Sequence, residues 1–121
     1  MRFEVDAPAH LQVLDCNCSI CRMTGFLHLI VPALRFRLLA GADALAEYTF
    51  NTGVARHRFC RHCGVKAFYV PRSHPDGIDV NARCLDPGSV AAMQRDLRAG
   101  GKQATAYLHE QIPERYRFMS D

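Results

Sequence analysis

The chain has 121 residues, of which 49% are hydrophobic and 22% charged, a balance that excludes a disordered polymer and suits one core. Fifteen Lys and Arg stand against 12 Asp and Glu for a net charge of +3, with the signs interleaved, which is too mild to point to a nucleic-acid partner. No apolar run approaches the ~20 residues of a membrane span, and Arg2, Glu4 and Asp6 stand where a signal peptide would be apolar, so a cytoplasmic protein without a membrane partner is expected.

Arg2 to Val5 and His10 to Asp15 read as extended segments, the second with Leu11 and Val13 on one face. Ser19 to Met23 reads as a helical turn before Gly25, and Leu27 to Val31 as a buried strand stopped by Pro32. Arg35 to Leu38 and Glu47 to Phe50 read as two antiparallel strands joined through Ala40-Gly41. Ala55 to Phe59 enters, and Lys66 to Val70 leaves, a hairpin with Cys60 and Cys63 at its tip. A turn from Pro71 to Gly77 leads to a strand from Ile78 to Ala82. Asp86-Pro87 offers a cap and a first-turn proline, and Val90, Met93, Gln94 and Leu97 follow at helical spacing up to Gly100-Gly101, which predicts a short C-terminal helix. Beyond it residues 102–121 form a tail without clear period. About eight short strands with regular turn signals make a mainly β fold in a single domain spanning residues 1–121.

Six cysteines lie at positions 16, 18, 21, 60, 63 and 84. In a reducing compartment such clusters serve metals better than disulfides. Cys16, Cys18 and Cys21 place three soft ligands on one turn, and Zn²⁺ prefers tetrahedral sulfur. Three local ligands leave one position open, as catalytic zinc requires, unless a distant residue closes it. Cys60-Arg61-His62-Cys63-Gly64 has the form of a zinc knuckle. It pairs with Cys18 and Cys21 in a Cys₄ site that leaves Cys16 spare, or it needs two ligands from elsewhere. A redox role for Cys60 and Cys63 lacks the βαβ context, covalent haem lacks the following histidine, and the usual iron–sulfur spacings are not matched.

Cys84 reads as a buried core thiol, with lining the site as the alternative. His57 and His62 flank the knuckle, and His57 is the one placed on the strand that enters it. Arg72, after Phe68-Tyr69-Val70, carries a guanidinium suited to a ligand carboxylate or to a solvated turn.

Arg2-Phe3-Glu4-Val5, Asp15-Cys16-Asn17-Cys18-Ser19-Ile20-Cys21, Ile30-Val31-Pro32 and Tyr48-Thr49-Phe50-Asn51-Thr52 form one ordered set of words. His57-x-Phe59-Cys60-x-x-Cys63-Gly64, Phe68-Tyr69-x-Pro71-Arg72-Ser73 and Cys84-Leu85-Asp86 complete it. Together they resemble the glutathione-dependent formaldehyde-activating enzyme and centromere protein V family. That resemblance implies a β-tent zinc-binding fold with a catalytic ion on Cys16, Cys18 and Cys21. It also implies a structural ion on Cys60, Cys63 and an earlier Cys-x-Cys, which would lie just before Arg2. The second site is therefore incomplete in these 121 residues, or the start of the protein is truncated.

The reaction implied by the resemblance joins glutathione to formaldehyde as S-hydroxymethylglutathione, a step that reverses as a carbon–sulfur lyase. Zinc is the expected cofactor, a small thiol such as glutathione the expected partner, and Arg72 the expected substrate-binding residue; the other catalytic residues are unassigned. The alternative is a non-catalytic zinc module that binds a macromolecular partner. An exchangeable position on the metal favours the enzyme, and a fourth protein ligand favours the module.

Overall fold

The computed structural model describes residues 1–89 and the strand at residues 92–96. Nine strands follow in chain order: β1 Arg2–Val5, β2 His10–Asp15, β3 Leu27–Pro32, β4 Phe36–Ala40, β5 Leu45–Tyr48, β6 His57–Cys60, β7 Phe68–Tyr69, β8 Gly77–Asn81 and β9 Ala92–Asp96. One helix, α1 at Ser19–Thr24, stands between β2 and β3. Among the described residues the fold is mainly β, as the turn spacing suggests.

A five-stranded sheet in the order β7-β8-β3-β2-β9 carries the molecule. Its central strand β3 is buried on both faces, and the period of two divides them by chemistry. Leu29 lies opposite Val80 and Val31 opposite Ile78, while Phe68 also faces Val80. With Leu27, Leu11, Val13 and Ala82 these residues close the hydrophobic core. On the other face His28 lies opposite Asn81, and Ile30 and Tyr69 lie opposite Asp79. That face holds buried polar groups, His28, Asp79 and Asn81, beside a smaller apolar cluster of Phe26, Ala55 and Tyr69.

The two short sheets depart from the pairing expected of the middle of the chain. β4 does not pair with β5; it pairs with β1, setting Phe3 against Leu38 and Val5 against Phe36. Phe3, Phe36 and Phe68 then form one aromatic cluster, with Phe36 4.6 Å and Phe3 5.8 Å from the Phe68 ring. On the same ladder Arg37 bridges Glu4 and Asp6. Burial of three rings outweighs the local economy of a hairpin. β5 pairs with β6 instead. The excursion through Cys60 and Cys63 does run out and back, bridged at Arg56 and Val70 by backbone bonds of 2.9 and 3.2 Å. Its arms nevertheless place their ladders outward, β6 on β5 and β7 on β8.

The expected C-terminal helix is a second correction. Gly88, at φ +89°, adopts a left-handed turn that a helix starting at Pro87 cannot contain. Ala92–Asp96 is a strand, paired in parallel with β2 from His10 opposite Ala92 to Leu14 opposite Asp96. The unpaired edge of β2 offers a row of backbone donors and acceptors, and satisfying them outweighs a weak helical propensity. The remainder of the predicted helix and the tail at residues 102–121 lie outside the described residues.

Packing of this kind makes a direct prediction. Phe68→Ala, which empties a site 2% exposed, should cost roughly 3–5 kcal/mol in urea unfolding. Leu34→Ala, at a residue 91% exposed, should change stability by less than about 0.5 kcal/mol.

Candidate metal centre

Local turn chemistry builds the first half of the site. Cys18 caps α1, with its carbonyl accepting from Arg22 N–H at 2.9 Å, and Cys21 points inward from the only turns the helix has. Gly25, at φ +65°, ends the helix in the left-handed conformation, and Phe26 N–H returns to the Cys21 carbonyl at 3.0 Å. The chain therefore reverses at once, and β3 starts beneath the helix that holds Cys21.

The sheet builds the second half. His28 Nδ1–H donates to Asp79 Oδ2 at 2.5 Å, between side chains 7% and 1% exposed. This bond commits Nδ1 and leaves Nε2 buried and without a hydrogen-bond partner. Asn81 braces the arrangement by accepting from Leu27 N–H and donating to the Lys66 carbonyl, each at 3.2 Å.

The two halves meet. Donor atoms of Cys16, Cys21 and His28 all lie within 4.8 Å of one another. These three residues can hold a metal ion, and the orphaned Nε2 beside two sulfurs fits one well. Cys18 stands next to Cys16 and Cys21 and perturbs both thiols. Its sulfur, with burial, pushes the Cys16 thiol up to about 11. Cys21 is raised well above the ordinary thiol range by Cys16, Cys18 and burial. Crowded thiols cannot all ionise unless a cation compensates them. The donor set of soft sulfur and imidazole is one that zinc takes.

The sequence reading placed Cys16, Cys18 and Cys21 together but passed over His28 and Asp79. The only signal for His28 was a histidine inside an otherwise apolar strand, and Asp79 alternates with Ile78 and Val80 in the same manner. Neither names a partner until the register of β3 and β8 is known.

The other predicted residues lie apart. Backbone N–H groups of Cys63 and His62 hold the Cys60 thiol below its ordinary value, and the Met1 α-ammonium adds to this, so the knuckle faces the start of β1. Cys84, half-buried rather than sealed in the core, is raised by burial and by the charge of Cys63. Among the described residues no third metal-ligating side chain joins Cys60 and Cys63 closely enough to form a comparable group. His57 is 2% exposed and belongs to an aromatic stack rather than to the knuckle. Arg72 is half-buried just beyond Tyr69, whose ring lies 6.2 Å from that of His28.

Chelator competition measures the centre directly. Cys16→Ser, Cys21→Ser and His28→Ala should each weaken zinc binding strongly, and Asp79→Asn should weaken it by about 10- to 100-fold through loss of the bond that orients the imidazole. Wild-type affinity in both His28→Ala and Asp79→Asn would remove the imidazole from the centre.

Comparison with known proteins gives the family. The family model described as glutathione-dependent formaldehyde-activating enzyme matches residues 1–99. A Rhodobacter sphaeroides protein of known crystal structure is similar at 29% identity and a TM-score of 0.63, over 77% of this chain and 89% of that one. Since the family match spans every described element, from β1 to the parallel edge strand β9, the chain belongs to the glutathione-dependent formaldehyde-activating enzyme family.

Proposed function

We propose that the chain is a single-domain, zinc-dependent carbon–sulfur lyase-type protein that makes and breaks the adduct of a small thiol, glutathione, with an aldehyde, formaldehyde. The observation that carries this reading is the convergence of Cys16, Cys21 and His28, with the His28 ring held by Asp79. Two thiolates and one neutral imidazole are a donor set that leaves zinc an open position. They also leave the shell less negative than three thiolates would. Bound there, zinc would supply Lewis acidity that lowers the proton affinity of an incoming thiol.

The chain's own residues supply the rest. Asp79 commits His28 Nδ1 and fixes the direction of the ring, so that Nε2 is the nitrogen offered to a metal. Phe26 and Tyr69, packed against the His28 ring at 4.8 and 6.2 Å, exclude water from that side of the centre. Arg72, beyond Tyr69, is the group assigned to a glutathione carboxylate. Cys60 and Cys63 are assigned to a second, structural zinc whose remaining ligands are not among the described residues. No helix among the described residues is long and apolar enough to cross a membrane, and the reading retains a cytoplasmic small-molecule enzyme.

The second reading, a zinc module that binds a macromolecular partner, draws on the same histidine. If Cys18 and His28 both ligate, four protein donors close the centre and no position remains for a substrate.

The two readings separate in one experiment. Glutathione should bind the zinc-loaded protein in calorimetry, and Arg72→Ala should weaken it by about tenfold through loss of a charge-assisted hydrogen bond. Glutathione and formaldehyde should equilibrate faster than their spontaneous background, with the excess rate lost in Cys21→Ser. Neither binding nor acceleration in a zinc-loaded protein would sink the lyase reading in favour of the closed module.

A further inference from the structure

Lys66 is a buried cation that the metal centre does not use. It lies between the knuckle and β7, is 8% exposed, and makes no ion pair among the described residues. Its Nζ stands 2.7 Å from His57 Nδ1, 4.1 Å from the centre of the Tyr69 ring and 5.1 Å from that of Phe26. Burying an ammonium without a direct ion pair is costly, and its closest neighbours are two π faces and an imidazole. Burial pushes the amine below its ordinary value, against the opposing charges of Cys21, Asp79 and Cys18.

The surroundings have the form of an activated nucleophile. His57 is within hydrogen-bonding reach of the amine, and it is held flat between Phe50 at 5.3 Å and 14° and Tyr69 at 5.0 Å and 10°. A nucleophile, a base beside it and a third group that orients the base are the parts that covalent capture requires. Phe26 and Tyr69, which wall the amine, also pack on His28. The amine and the metal centre therefore share one aromatic partition.

We propose that Lys66 Nζ is a reversible covalent docking group for a small aldehyde, with His57 as its base. The amine lone pair forms an N–C bond to the carbonyl carbon as the C–O π bond breaks. A proton passes from Nζ through His57 to the oxygen and gives the carbinolamine. Loss of water from the carbinolamine gives an imine, and return of water releases the aldehyde. This assignment rests on the aldehyde half of the proposed function and involves no thiol and no metal.

Reductive trapping tests it in the intact, zinc-loaded chain. Formaldehyde with cyanoborohydride, which donates hydride to the imine carbon, converts a captured lysine to its N-methyl form, and peptide mass spectrometry locates the methyl group. The chain contains two lysines, Lys66 and Lys102, and Lys102, outside the described residues, is the internal comparator. Lys66 should be methylated on the order of ten-fold faster than Lys102, because a desolvated amine is more often neutral. Equal rates, or methylation of Lys102 alone, would overturn the proposal. In His57→Gln the rate at Lys66 should fall while Lys102 is unchanged, and an unchanged Lys66 rate would remove His57 as the base. Methylation of Lys66 without any accelerated glutathione–formaldehyde reaction would defeat the lyase reading and leave the docking group. Acceleration without methylation would do the reverse.

Discussion

Asp79 is completely buried at the middle of a β-sheet, and a carboxylate in that position must be answered by a donor. His28, across one strand pair, is the side chain that answers it. The bond commits one ring nitrogen and leaves the other buried without a protein partner, on a ring close to Cys16 and Cys21. Much else in the molecule serves this pair. Asn81 braces the strands around it, and Phe26 and Tyr69 seal it from one side. The opposite face of the same strands carries the hydrophobic core that keeps the sheet together.

Because side chains alternate along a strand, these two duties can share β3 and β8 without interfering. Leu27, Leu29 and Val31 stabilise the fold on one face, while His28 serves the site on the other. A slip of one residue in the β3–β8 register would exchange the faces, drive Leu29 toward the cysteines and bury His28 in the core. Register is therefore the point at which stability and chemistry depend on each other. The cysteine loop contributes differently. It is local, and its geometry follows from a short helix and one left-handed glycine.

The polar face extends beyond the metal centre. From the cysteines it passes through His28 and Asp79 to Tyr69, and from Tyr69 to Lys66 and His57. Burial, together with Asp79 and Cys21, pushes the Tyr69 phenol well above its ordinary value, so it stays neutral among charged neighbours. A face with this many buried ionisable groups is expensive to fold. Such an arrangement is expected where binding or chemistry, rather than packing, sets the residue types.

Local signals determined much of the chain by themselves. Alternation marked β2, the apolar run ended by proline marked β3, and Gly25 marked the end of α1, because each depends on residues a few positions apart. The clustering of Cys16, Cys18 and Cys21 is legible for the same reason, and so is their suitability for a metal. Pairing was not legible. That β4 joins β1, that Ala92–Asp96 forms an edge strand rather than a helix, and that His28 and Asp79 complete the cysteine site are all decided by contacts between distant segments. Those contacts form when unpaired backbone and buried polar groups find partners, and the free energy of doing so belongs to the assembled sheet rather than to any short stretch of sequence.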